Sequence, residues 1–362
     1  SALGTTSMDA LTTGICNVAI GINALGASTT GCLNIALGRL AMGAADTTGH
    51  NNVAIGQAAL DALTTGLCNT GIGINSLGTS TTGCYNVAIG PVAMGGGVTT
   101  GNDNIAIGKT TMDALTTGIC NVAIGTNALG ASTTGCQNIA IGELALGAGV
   151  VTGKTNIAIG VNAADALTSG MCNIAIGKNA LGATTASLLS IAIGENALGS
   201  GNVSGGYNIS FGYSSSAAMT SGICNIAMGS NALGASTTGC DNVAIGISAL
   251  GSADTTGINN IAIGTNAMDA LTSGYCNVAI GRNAMGAATS TNNSVALGHL
   301  ALGSGALTGA FNTAIGSSAL NATTSGCRNV AIGPSTLGTS TTGCLNVAIG
   351  NGPMGGAIVT GI

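Results

Sequence analysis

The residues best equipped for chemistry are twelve cysteines, two histidines and eleven carboxylates in a chain of 362 residues. Cys16, Cys68, Cys120, Cys172, Cys224 and Cys276 recur every 52 residues, each directly before an Asn, save that Cys327 breaks the series. Cys32, Cys84, Cys136, Cys240 and Cys344 stand two residues before an Asn, and Cys327 does the same in its own segment. Zinc sites gather their thiolates at C-x-x-C spacing, which is absent, and His50 and His299 are out of phase with the cysteines. A metal centre is therefore not expected. Asp9, Asp61, Asp113, Asp165 and Asp269 form another 52-residue series. What either series can do depends on the elements that carry it.

Those elements follow from the phrase Asn17-Val18-Ala19-Ile20-Gly21, which returns twenty times between positions 17 and 346 at intervals of 17, 18 and 17 residues, together 52. Units this short cannot bury a core alone, so they must stack on one another. Four-residue segments between glycines are too short for helix, and Val or Ile followed by Ala and Ile is strand-like. The expected fold is all-β, a parallel β-solenoid of about 21 coils of 17–18 residues with a three-coil super-repeat, forming one continuous domain over residues 1–362. Coils about 4.8 Å apart would give a rod on the order of 100 Å long. The first coil type has Gly at its fifth, tenth and fifteenth places, the second carries one extra residue, and the third has Asp61 in place of the middle Gly.

Stacking turns each position into a column. The leading Asn, replaced by Ser190 and Ser294, is expected to form an amide ladder along the axis. The place after the fifth Gly collects Arg39, Lys109, Glu143, Lys178, Glu195, Arg282 and His299 and must face water. Alternation sends Val and Ile to one side and Asn and Ala to the other. With Val and Ile inside, the outer face is a flat Ala ladder; with them outside, an aliphatic stripe is exposed. Either face lacks polar cover and implies a partner surface. Residues 184–216 are the least regular, with Ser190 for Asn and Phe211 beside Tyr207 and Tyr213.

On this frame Cys16 and Cys32, Cys68 and Cys84, Cys120 and Cys136, Cys224 and Cys240, and Cys327 and Cys344 lie in neighbouring coils. One-coil spacing suits disulfide geometry, and closing a loop of roughly 16 residues would add about 3 kcal/mol each. Inter-coil disulfides, as in an oxidising extracellular setting, are the favoured reading; small buried thiols stacked in a ladder are the alternative. Cys172 and Cys276 face Leu188 and Asn292 and remain unpaired thiols. The Asp residues, three coils and about 14 Å apart, are too distant for paired-carboxylate catalysis and read as groups that satisfy backbone amides at a turn.

Composition excludes several classes. Charged residues are 5% of the chain, with six Lys and Arg against eleven Asp and Glu, which leaves no electrostatic footprint for nucleic acid. Every apolar run is interrupted far short of the roughly 20 residues that span a bilayer, so membrane insertion is not expected. Nothing marks a catalytic or cofactor site. The chain opens at Ser1 already inside a repeat and reads as a mature or excerpted product, with neither end capped.

The NVAIG-x-NAL and NIAIG-x-NAL phrases, joined by TTG-x-x linkers, resemble the head repeats of trimeric autotransporter (YadA-like) adhesins and the similar repeats of some phage tail fibres. The resemblance covers essentially the whole chain and implies a parallel β-roll, trimeric in those families, displayed on a cell or virion surface for attachment. The longer period and the cysteine columns depart from that pattern. The leading expectation is a non-enzymatic extracellular structural protein whose copies stack head to tail and associate laterally. An adhesive head with a surface receptor is the runner-up. Ice binding is a third class, weakened because the two threonines of each TTG point to opposite faces.

Overall fold

The computed structural model describes residues 1–352, so the last ten residues of the final coil lie outside it. Among the described residues there is no helix, and the regular elements are 21 short strands, Ala2–Leu3 followed by twenty of three residues from Val18–Ile20 to Val347–Ile349. The protein is an all-β parallel β-solenoid. It divides into two compact units, Ser1–Ala186 and Ser187–Ile362, and the division falls within the stretch whose repeat is least regular.

In the first unit each strand pairs with the same strand of the next coil, in register: Val18 with Ile35, Ala19 with Ala36, Ile20 with Leu37, and Ala36 in turn with Ala54. The ladder bonds are short; Val18 N donates to Asn34 O at 2.9 Å and Gly38 N to Ile20 O at 2.8 Å. The second unit repeats the pattern, as in Val243 with Ile261 and Ala244 with Ala262. An interval of 17 or 18 residues thus returns the backbone to the same place one coil on.

The strand alanines point inward and the Val and Ile residues outward. Ala19, Ala36 and Ala54 are fully buried, whereas Ile20, Ile55 and Ile89 are 46%, 36% and 36% exposed. The coil is too thin for two rows of large side chains. Its far wall supplies the bulk, with Ala24 and Leu25, Ala41 and Met42, and Ala59 and Leu60 all at 0% exposure, and the strand meets that wall with methyl groups. The second unit has the same core, built from Ala227, Leu233, Ala244, Leu250 and their successors.

Two backbone devices hold this cross-section. The fifth-place glycines take φ near +134°, as at Gly21 and Gly125, and a Cβ on Gly125 would stand 2.5 Å from Gly142 O. No other residue fits a corner so close to the next coil. The far wall is built from left-handed residues that are not glycine: Asn23 has φ 58° and Leu25 φ 52°, and equivalents recur in later coils at Leu129 (φ 50°) and Leu250 (φ 50°). Left-handed backbone costs an L-residue about 1–2 kcal/mol. Full burial of the leucine returns a similar amount, roughly 1.5–3 kcal/mol.

The leading asparagines are the polar part of the core. Asn17 Nδ2 donates at 2.7 Å to Gly31 O, which stacks over Gly14 at the same corner, and its Oδ1 accepts the N–H of Asn34 at 2.9 Å. The expected ladder is present, and each amide also holds the glycine corner of the next layer. Serine preserves part of it, since Ser294 Oγ accepts Asn312 N at 3.1 Å. The irregular coil of the second unit has an inward Ser210 in the alanine place and Ser216 in the leucine place, both hydroxyls buried without a protein partner. Phe211 lies on the outer face, 37% exposed.

Candidate functional site

The cysteines occupy two adjacent columns beside the strand. The bridges Cys136 with Lys154 and Cys240 with Ile258 show that the residue two before the Asn stacks on its own equivalent in the next coil. By that register Cys32 stacks between Ile15, whose N–H meets its Sγ at 3.4 Å, and His50, whose Nδ1 accepts Cys32 N at 3.1 Å. His50, expected out of phase, therefore shares the cysteine column, because it too stands two residues before an Asn. Cys16 belongs to the neighbouring column, one residue later, where the backbone is left-handed (φ 61°).

Cys16 and Cys32, Cys68 and Cys84, Cys120 and Cys136, and Cys224 and Cys240 are therefore one coil apart but one column out of step. The second sulfur of each pair turns to a carbonyl of its own coil: Cys32 to Thr30 O at 3.4 Å, Cys84 to Thr82 O at 3.5 Å, Cys136 to Thr134 O at 3.3 Å, and Cys240 to Thr238 O at 3.4 Å. Cys344 Sγ likewise faces Thr342 O, at 3.7 Å, but Cys327 and Cys344 are placed differently from the other pairs. They share one column, and their sulfurs are 2.7 Å apart. All twelve thiols are free in the structure. None is buried: Cys16, Cys120, Cys172, Cys224 and Cys276 are exposed and the others half-buried. The alternative of a buried thiol ladder is thereby corrected. Both columns lie on the outside of the coil, where side chains do not reach the Ala and Leu core. The unpaired Cys172 has its Sγ 3.8 Å from Thr155 Oγ1.

Three of the five aspartates in the series bond backbone amides, whereas Asp113 Oδ1 is buried without a hydrogen-bond partner. Asp61 Oδ1 accepts Gly43 N at 3.2 Å and Ala44 N at 2.9 Å, Asp165 Oδ1 accepts Ala148 N at 2.8 Å, and Asp269 Oδ1 accepts Ser252 N at 2.9 Å. Two further aspartates, which period counting passed over, act alike in the long coils: Asp46 Oδ1 accepts Thr29 N at 2.8 Å and Asp254 Oδ1 accepts Thr237 N at 2.9 Å. Their signal was present, since both precede a Thr-Thr-Gly in the coil with the extra residue. Among the described residues no group of three or more His, Cys, Asp or Glu is placed to hold a metal ion. A surface groove of about 420 Å³ runs past Asn266, Asp269, Asn283, Leu300 and Ser304; its one carboxylate is the Asp269 already engaged with Ser252.

The strand face is an extended apolar surface. In the first unit its outer column contains Ile20, Ile55, Ile89, Ile107, Ile124, Ile141 and Ile159, between 36% and 46% exposed. A parallel column of half-buried residues, such as Val18, Val53 and Val87, runs beside it. Eleven strands at ~4.8 Å make this strip on the order of 50 Å long and two side chains wide. The threonines of the linkers are engaged differently: Thr12 Oγ1 donates to Thr29 O at 2.9 Å and Thr64 Oγ1 to Thr81 O at 3.0 Å.

These features define a parallel β-solenoid repeat protein with an aliphatic face and flanking thiols. No protein-family model matches the sequence, and no curated protein is significantly similar to it. No described helix is long and apolar enough to cross a membrane.

Proposed function

We propose that this is a non-enzymatic structural protein of an extracellular fibre, whose copies pack side by side through the Val and Ile strand face and stack head to tail along the solenoid axis. The observation that carries the reading is the orientation of the strands. The larger aliphatic residues are turned to solvent in coil after coil while alanine fills the interior, and contiguous apolar strips of this kind mark association sites. Parallel in-register strands also suit end-to-end growth, because a strand edge offers the hydrogen-bonding pattern that another coil requires. With six Lys and Arg in the whole chain, neither nucleic acid nor an anionic membrane surface is a favoured partner.

Sedimentation of the purified chain tests the lateral contact. The expected result is a species heavier than the 34.1 kDa chain, which the triple variant Ile107→Asp, Ile124→Asp, Ile141→Asp shifts towards the single chain while its circular dichroism is unchanged. Wild-type protein that sediments as one chain at milligram-per-millilitre concentration would remove the reading.

The second reading is an adhesive head that binds a surface receptor. It is favoured by Tyr207, Phe211 and Tyr213, which are 57%, 37% and 56% exposed in one irregular stretch of the second unit, in a chain that has only four Tyr and two Phe. Exposed aromatics of this kind anchor interfaces.

A further inference from the structure

The Cys327–Cys344 pair stands apart from the other ten thiols, and the cause is a one-residue change in the repeat. In the third type of coil the cysteine directly precedes the Asn, as in Ile119-Cys120-Asn121; in the coil before Asn329 the order becomes Gly326-Cys327-Arg328. The thiol has moved back into the column that the next coil fills with Cys344. Two cysteines in register are one coil apart, about 4.8 Å, inside the Cα separation of roughly 4.4–6.8 Å that a disulfide requires. The backbone is locked at that spacing, since Leu345 N donates to Cys327 O at 3.0 Å.

The sulfurs are also differentiated. Cys344 Sγ accepts two hydrogen bonds, from Cys327 N at 3.1 Å and from Cys327 Sγ at 2.7 Å. Cys327 is the donor in the second contact and so keeps its proton, which leaves Cys344 to attack first and Cys327 to act as the resolving thiol. From a separation of 2.7 Å the sulfurs need close by only about 0.7 Å to reach the ~2.05 Å of an S–S bond.

From this geometry we propose that Cys327 and Cys344 are a thiol–disulfide exchange site, oxidised by small-molecule disulfides to a bond that clasps two successive coils, whereas the four offset pairs are not. The Cys344 thiolate attacks one sulfur of oxidised glutathione and expels one glutathione thiolate, leaving a mixed disulfide on Cys344. Cys327 then loses its proton, attacks the Cys344 sulfur and expels the second glutathione thiolate. One oxidised glutathione becomes two reduced molecules, which take up the two thiol protons, and the protein gains one disulfide.

The chain is well suited to the test, because its last cleavable residues for trypsin are Arg282 and Arg328. The reduced full-length protein is equilibrated in a glutathione redox buffer, alkylated with iodoacetamide, digested and analysed by mass spectrometry. Peptides 283–328 and 329–362 each contain a single cysteine, Cys327 and Cys344. The expected product is the two joined by a disulfide, while Cys68 and Cys84, both within peptide 40–109, are recovered alkylated or glutathionylated. In Cys344→Ser, peptide 283–328 should appear alone and alkylated; in Cys327→Ser, peptide 329–362 should carry glutathione. Recovery of both wild-type peptides unlinked across the full range of the redox buffer would overturn the proposal. So would equally efficient bond formation between Cys68 and Cys84, which would show that register confers no selectivity.

Discussion

Asn121 Oδ1 accepts the backbone N–H of Asn138, one coil further on, at 3.0 Å, while Asn121 Nδ2 donates at 2.7 Å to Gly135 O, which stacks over Gly118 at the same corner. One buried side chain therefore holds two points of the next layer of backbone, Gly135 and Asn138, at a fixed distance. Alanine at this place would leave the Asn138 N–H and the Gly135 carbonyl without partners inside the core. Each unsatisfied group costs about 1–3 kcal/mol, so Asn121→Ala should destabilise the surrounding coils by about 2–6 kcal/mol. Asn121→Ser should cost less, because a serine hydroxyl in the equivalent place of another coil, Ser294, accepts the following Asn312 N–H at 3.1 Å. Native-state hydrogen exchange at Asn138 reads both. Equal protection in the Ala and Ser variants would show that the acceptor is unimportant.

The fifth-place glycine leaves less room for substitution. At Gly125 the backbone has φ +133° and the position of a Cβ is 2.5 Å from Gly142 O. Gly125→Ala forces the two coils apart at a point where Gly142 N donates to Ile124 O at 2.8 Å. The expected loss is ~3 kcal/mol or more, the sum of backbone strain and a broken ladder bond. Gly130→Ala is the matched control. Its φ is not in the left-handed range and its nearest neighbour, Asn127 O, would be at 3.1 Å, so a smaller drop in the urea midpoint is expected.

The period of the chain was legible because it is a matter of counting, and the ladders Asn17–Asn34–Asn52 and Ala19–Ala36–Ala54 stand where the count puts them. Which side of the strand faces inward was not. Val18 and Ile20 are more hydrophobic than Ala19, so hydrophobicity alone would have turned them in. The decision rests with Leu25 and Leu60 on the far wall, whose volume leaves space only for alanine opposite. Leu25 gives no hint in the sequence that its backbone is left-handed, because leucine is among the residues least suited to that conformation. The cysteines show the same limit: spacing places Cys16 and Cys32 in neighbouring coils, but only the register shows that they occupy different columns. Gly326-Cys327-Arg328 was the exception that could be read, once the column was known.

The left-handed place before each Asn can be tested without touching the core. Gln137 is exposed there with φ 58°. Gln137→Gly removes the steric penalty of the conformation, about 1–2 kcal/mol, and adds back part of it as unfolded-chain entropy. The net expectation is a gain of up to ~1 kcal/mol, read as a higher urea midpoint. Gln137→Val should move the midpoint the other way, since a β-branched residue tolerates this backbone least. A loss on introducing glycine would indicate that the Gln137 side chain makes a contribution its exposure does not suggest.

The same column contrast predicts a pH dependence in the reduced protein. The Cys327 thiol is raised above its ordinary value of 9.0, first by its hydrogen bond to Cys344 and then by burial and the charge that Cys344 acquires, with Arg328 pulling slightly the other way. Because the folded state holds this proton more tightly than the unfolded chain, its contribution to stability is complete below the unfolded thiol range. That contribution is lost as pH rises through the folded value. Near pH 8.5, iodoacetamide should therefore modify Cys327 more slowly than the exposed Cys120, the gap narrowing as the pH climbs towards the folded value. Cys344→Ser removes the sulfur that holds the proton, and Cys327 should then react faster at the same pH. An unchanged Cys327 rate in that variant would place the cause in the local backbone rather than in the neighbouring sulfur.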